Sequence, residues 1–378
     1  MERNINTIER LKKAGIRERA KSEDRELAPD EATELIARAF LTNRVPLSEK
    51  GQALKAQVEQ AMALEDLEER QIALRDLRTF LPTYENVTIS TNNTLDLFEP
   101  IPDNPHNSFL LNPYTLESLQ IVKGCTHQCS FCAADSGLLK RENIMPAVRV
   151  MMLSREYRKY LVGKRRERTL LTNYYDSDPF NYRDYDLLHE DGMPVDYGDI
   201  VVATAHEKKA IHITTAGIAE NDTVGYRAAA KINQLYLENP KLVAGTRLSV
   251  SPYEKTAQQD LDKYSLMLQK TLLSLKDCIK YITVYMDGDE SEYAVFTEKV
   301  ILPLKELLKK IKGESGQQIV LEYKIASNFS GRAKRNGIGD LNYDVMATRG
   351  NIIEPDGSVI EHFGTSTRPT KSHNIFEN

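Results

Sequence analysis

Apolar residues keep two different periods along this chain. From the start to about Leu81 they recur at steps of three, four and seven: Leu35, Ile36, Phe40 and Leu41 form one stripe, and Ala63, Leu67, Leu74, Leu77 and Leu81 a second. Such stripes beside charged faces predict amphipathic helices that pack against a main domain. Pro29-Asp30-Glu31 is a helix start, with proline in the first turn and acids near the positive end of the dipole, and a further helix ends at Pro82. Asn86–Thr91 is β-branched (NVTIST), which predicts a strand, and prolines at 100, 102, 105 and 113 then predict an irregular connection.

Beyond Pro113 short β-type runs alternate with helical segments. The runs are 118–123 (SLQIVK), 168–175 (RTLLTNYY), 210–217 (AIHITTAG), 246–251 (TRLSVS), 281–287 (YITVYMD) and 318–327 (QIVLEYKIAS). Helices are predicted at 154–162, 226–237, 258–275 and 295–311. Strands separated by helices pair in parallel, because a parallel pair needs a long crossover. Six units are too few to close an eight-fold barrel, so the expected fold is α/β: a six-stranded partial (β/α)6 barrel. The domains expected are a helical N-terminal extension and linker at 1–112, the core at 113–335, and a C-terminal hairpin tail at 336–378, turning at Pro355-Asp356-Gly357.

Composition narrows the function. Fifty Lys and Arg against 55 Asp and Glu leave a net charge of −5, which disfavours nucleic-acid binding through bulk positive charge. Neither an N-terminal apolar signal segment nor an uncharged span of membrane length is found, so a cytoplasmic protein without membrane attachment is expected. In a reducing compartment the four cysteines read as metal or redox chemistry before disulfides. Three of them stand at Cys125, Cys129 and Cys132, immediately after the first core strand. Three thiolates spaced C-x3-C-x2-C can wrap one soft metal centre and leave a coordination corner vacant. A structural zinc knot using these cysteines and His127 is the alternative, although no second CxxC or HxxxH pair is present to close it.

The run CTHQCSFC resembles the signature loop of radical S-adenosylmethionine enzymes, down to the aromatic Phe131 before the last cysteine. The resemblance extends from about Thr115 to Arg332. It implies that Cys125, Cys129 and Cys132 hold one [4Fe-4S] cluster whose fourth iron binds S-adenosyl-L-methionine. An electron from a flavodoxin- or ferredoxin-like donor then releases a 5′-deoxyadenosyl radical that abstracts hydrogen from a substrate carbon. It further implies cofactor contacts. Phe131 would pack by its backbone on adenine, and Ser177 and Asp178, in a turn similar to the family's GGEP, would meet the methionine amine. Thr215 ends a strand similar to a T-N-G terminus, Ser249 or Ser251 would meet the ribose, and Arg332, in a GRA-like segment, the carboxylate.

The GRA-like segment and the following hairpin resemble peptide-modifying members, which implies a peptide substrate, matured by cross-linking or epimerisation; a sugar or amino acid is the alternative. No cysteines flank the hairpin, so a single cluster is expected. Cys278, at a strand start, reads as a buried structural thiol. Tyr174, Tyr175 and Tyr285 are lining residues by position, and the basic clusters at 164–168 and 332–335 read as solvated surface.

Overall fold

The computed structural model describes residues 27–88, 93–112, 116–130, 137–161, 169–173, 177–286, 293–324, 351–361 and 370–377. Phe131, Cys132, Tyr174, Tyr175, Arg332 and both basic clusters lie outside the described residues.

Three helices open the described chain: α1 (Pro29–Leu41), α2 (Glu49–Met62) and α3 (Leu67–Leu77). Pro29 starts α1 at a position that needs no N–H, and Ile36, Ala37 and Phe40 are buried along one side. Ser48 caps α2 by accepting from Gly51 N at 3.3 Å, and Asp66 caps α3 by accepting from Glu69 N at 2.9 Å. The expected strand at NVTIST is not formed where it is described: Asn86 and Val87 close a short helix, Tyr84–Val87, seated on Thr83. Burial of Val87 decides this against its β-branched preference.

Strands β1 (Leu116–Leu119) and β2 (Thr169–Thr172) are joined through α4 (Ala147–Arg158). Then comes an insertion that the periodicity did not predict: an antiparallel hairpin, β3 (Arg183–Leu188) and β4 (Pro194–Asp196), followed by α5 (Tyr197–Thr204). The chain continues with β5 (Lys209–Thr215), α6 (Thr223–Glu238), β6 (Val243–Val250), a short helix (Lys255–Gln259), α7 (Leu261–Ser274) and β7 (Ile279–Tyr285). A π turn over Thr297–Ile301 leads into α8 (Leu302–Ser315), then β8 (Val320–Lys324), β9 (Asn351–Ile353), β10 (Ser358–Glu361) and β11 (Thr370–Asn374). All six predicted core strands are present.

Among the described residues the main sheet has nine strands in the order β11-β10-β9-β1-β2-β5-β6-β7-β8. The six strands from β1 to β8 pair in parallel in chain order, so this is a mixed α/β protein with a mostly parallel sheet. The C-terminal hairpin turns at Gly357 as expected, but it is not a separate tail. Its strand β9 lies parallel to β1, with Ser118 opposite Ile352 and Leu119 opposite Ile353. The insertion anchors the N-terminal helices. Asn43 Nδ2 donates to the Asp186 carbonyl at 3.1 Å, Tyr84 Oη donates to the Asp199 carbonyl at 2.9 Å, and one apolar core runs from Ile36 and Phe40 to Ile211 and Ile213.

The helices of the crossovers form one layer, α4 touching α5, α5 touching α6, α6 touching α7 and α7 touching α8. Crossovers of one hand between strands in chain order give this result. The strands show its counterpart. Ile211, Ile213, Leu248, Val250, Ile282 and Val284 are fully buried, whereas the alternate positions His212, Thr214, Arg247, Ser249, Tyr285, Glu322 and Lys324 are polar and half-buried. Parallel strands covered on both faces are apolar throughout, so the alternation marks a sheet with one face left polar. No described helix is long and apolar enough to cross a membrane.

Candidate functional site at the carboxyl ends of the strands

The cysteine loop leaves β1 through buried Gln120, Ile121 and Val122. Gly124 makes its turn at φ +94°, where a Cβ would stand 2.7 Å from the Leu138 carbonyl oxygen, so no other residue fits without movement. Cys125 N then donates to the Gly137 carbonyl at 3.0 Å. Gln128 sits in the left-handed region at φ +48°, and its Nε2 donates to the carbonyls of Cys125 at 2.5 Å and Gly137 at 3.1 Å. This internal bonding curls the loop and leaves Cys125 and Cys129 half-buried and outside any disulfide. Burial raises the Cys125 thiol pKa, the Asp178 charge adds to that rise, and His127 opposes it.

His127 is the fastening point. It is 7% exposed and lies between two buried carboxylates, Nδ1 at 3.1 Å from Glu254 Oε1 and Nε2 at 3.4 Å from Asp178 Oδ2. Burial pulls its pKa down, but the hydrogen bonds to Asp178 and Glu254 outweigh that and raise it well above the ordinary value. Both ring nitrogens thus face carboxylate oxygens. Asp178 Oδ2 also accepts from Thr215 Oγ1 at 2.8 Å and Ala216 N at 2.7 Å, while Oδ1 accepts from Phe180 N at 3.0 Å. Glu254 caps the short helix after β6, accepting from Thr256 N at 2.5 Å and Ala257 N at 3.1 Å. One histidine thus ties the loops after β1, β2, β5 and β6 into a single unit.

Further bonds strengthen it. Ser130 N and Oγ both donate to the Tyr253 carbonyl, at 2.9 and 3.0 Å, and Thr126 Oγ1 donates to Asn181 Oδ1 at 2.8 Å. Lys123 pairs with Glu354 at the C-terminal hairpin.

The structure brings together four of the residues that the sequence singles out, Cys125, Cys129, Asp178 and Thr215, but Asp178 and Thr215 are engaged in holding the loops. Ser251 is 1% exposed, and its hydroxyl donates to the Tyr285 carbonyl at 3.0 Å and accepts from Tyr253 N at 3.2 Å. It orders the turn whose Tyr253 carbonyl holds Ser130. Ser249 lies apart from the loop, on the polar sheet face opposite Thr283. Ser177 Oγ and both side-chain polar atoms of Asn173 are buried without a hydrogen-bond partner, beside the carboxyl end of β2. Cys278 is fully buried at the start of β7, and burial raises its pKa to about 11, which agrees with a structural thiol. The sequence reading missed His127 as a clamp, Glu254 and Asn173. An acid directly before a helical run, Glu254 ahead of Lys255–Gln259, was the available sign of a helix cap.

Among the described residues no three His, Cys, Asp or Glu side chains gather as a metal-binding group, Cys132 not being one of them. Two thiols four residues apart on one internally bonded loop are of the donor type that a thiolate-bound centre uses. No protein-family model matches the chain, and no curated protein matches it.

Proposed function

We propose that this protein is an iron–sulfur enzyme of the radical S-adenosylmethionine type, with its six parallel core strands forming a partial (β/α)6 barrel. The reading rests on one observation: Cys125 and Cys129 leave the first parallel strand on a loop that His127 clamps to the loops of three other strands. When bound, a [4Fe-4S] cluster held by Cys125, Cys129 and Cys132 supplies the electron that cleaves S-adenosylmethionine and so starts hydrogen abstraction from the substrate.

The chain's own residues do the rest. The two described cysteines would bind as thiolates, metal binding outweighing the raised pKa of the Cys125 thiol. The Asp178–His127–Glu254 bridge orients their loop and keeps it from moving with the strand ends. Ser177 Oγ and the Asn173 amide offer hydrogen bonds at the end of β2, where the amine and carboxylate of the cofactor need them. Ser249 offers a hydroxyl from the polar face. The substrate is a peptide or a smaller polar molecule received on that face, and a one-electron donor docks near the cysteine loop.

Anaerobic purification followed by iron, sulfide and zinc analysis tests this. The expected result is about four irons with sulfide per chain. Iron should be lost in Cys125→Ala, Cys129→Ala and Cys132→Ala, retained in Cys278→Ala, and accompanied by 5′-deoxyadenosine release on reduction with S-adenosylmethionine. Stoichiometric zinc without iron, or iron loading indifferent to Cys129, overturns it.

A further inference from the structure

Arg247 stands in the middle of β6 on the polar face of the sheet, with Thr214 beside it on β5 and Tyr281 on β7. Its side chain is half-buried, its Nε is enclosed without a hydrogen-bond partner, and its guanidinium enters no ion pair among the described residues. The nearby acid is engaged elsewhere, Glu322 accepting from Thr283 Oγ1 at 2.7 Å and pairing with Lys324 at 2.9 Å. His212, on the neighbouring β5 two residues before Thr214, adds no charge: burial and the Arg247 cation lower its pKa to about 4. Tyr281 and Tyr285 are the other titratable groups of this stretch. Arg247 and Lys324 against Glu322 leave one positive charge in excess, with the hydroxyls of Thr214 and Ser249 alongside.

A guanidinium with one enclosed N–H that lacks an acceptor is a standing cost to the fold. Its planar fork matches one class of ligand, a group with two coplanar or tetrahedral oxygens sharing a negative charge. We propose that Arg247 anchors an oxyanion subsite on the polar face, receiving a carboxylate or phosphate group of the substrate. The inference rests on the reading above for the identity of this face as the substrate side. Arg247 stands three positions before the end of β6 at Val250, so it lies about 10 Å along the strand from the rim where the cysteine loop sits. That depth sets it toward the substrate rather than toward a cofactor at the strand ends.

Calorimetric titration of the full chain with inorganic phosphate and with acetate, at constant ionic strength, tests the subsite. Wild type should show saturable binding of at least one of the two, with the better probe identifying phosphate or carboxylate as the group. Arg247→Gln should bind it at least tenfold more weakly, with Arg247→Lys in between. Because Arg247 makes no hydrogen bond or close ion pair among the described residues, Arg247→Gln should melt no earlier than wild type in anion-free buffer. The probe should also move the NMR signal of His212 in wild type and leave it unmoved in Arg247→Gln.

Absence of binding in wild type, equal binding by Arg247→Gln, or a lowered melting temperature of that variant without anion overturns the proposal. So does loss of binding when S-adenosylhomocysteine saturates the protein, since the subsite then belongs to the cofactor's carboxylate. Titrating iron-free and iron-loaded protein in parallel separates the two readings. Anion binding by a protein that cannot be loaded with a cluster overturns only the radical chemistry, and cluster loading without anion binding overturns only the subsite.

Discussion

Replacing His127 by alanine strips the shared cation from two carboxylates that are themselves buried, Asp178 at 4% and Glu254 at 1% exposure. Removing one partner of a buried ion pair costs about 3–5 kcal/mol. Both acids keep other donors here, Asp178 from Thr215, Ala216 and Phe180 and Glu254 from Thr256 and Ala257. The expected loss therefore falls at the lower end, about 3 kcal/mol. Urea unfolding of the full chain measures it as a lowered midpoint at unchanged slope. His127→Gln keeps one amide donor and should recover part of the loss.

The pH dependence has a definite sign. A cation whose folded pKa stands above its unfolded value contributes fully below the unfolded pKa, and that contribution is lost as pH rises through the folded one. For His127 the folded pKa is raised well above the ordinary value, so the gap between wild type and His127→Ala should be full below about pH 6.5 and narrow as pH rises above it. A loss below about 1 kcal/mol, the range of an ordinary neutral hydrogen bond, or a gap that widens with rising pH, refutes the clamp.

Two further outcomes follow from other parts of the fold. His189 bridges Glu85 and Asp199 at 2.8 Å each; burial lowers its pKa, but those hydrogen bonds prevail and raise it to about 9. Its contribution should hold below about pH 6.5 and fade through about 9, so urea midpoints of wild type and His189→Gln should converge across that window; parallel curves would contradict it. Gly51 lies against the loop before Glu99, where an added Cβ would stand 1.9 Å from the Leu97 carbonyl oxygen. Gly51→Ala should cost about 3 kcal/mol or more by thermal or urea unfolding, and a near-neutral effect would show that the α2 contact yields easily.

The strands of the core were legible because each carries its own record of burial, apolar residues alternating or running together over four to eight positions. The β3–β4 hairpin carried a sign that periodicity overlooks: Asp191-Gly192, with Gly192 at φ +79° and His189 N bonded to the Met193 carbonyl at 2.8 Å. The thiols of the candidate site were legible from spacing alone. Their support was not, since Glu254 and Asp178 meet His127 from positions far along the chain, and nothing local to either acid names that partner. The same holds for β9. Its run Asn351–Ile353 shows a strand but not that the neighbour is β1. The polar face was half visible in the serines and threonines of β5 and β6, and only the register gathers them on one side.

The pairing of β9 with β1 also bears on how the protein is made. The strand that leads into the cysteines is synthesised at 116–119, and one of its two flanking strands only at 351–353. At about 5–20 residues per second, a ribosome leaves that edge open for roughly 10 to 50 s. During this interval a bare strand border lies next to nascent thiols, open to wrong partners and to oxidation. Cellular chaperoning, or slower growth at low temperature, should therefore raise the yield of correctly assembled protein more than any change confined to the loop.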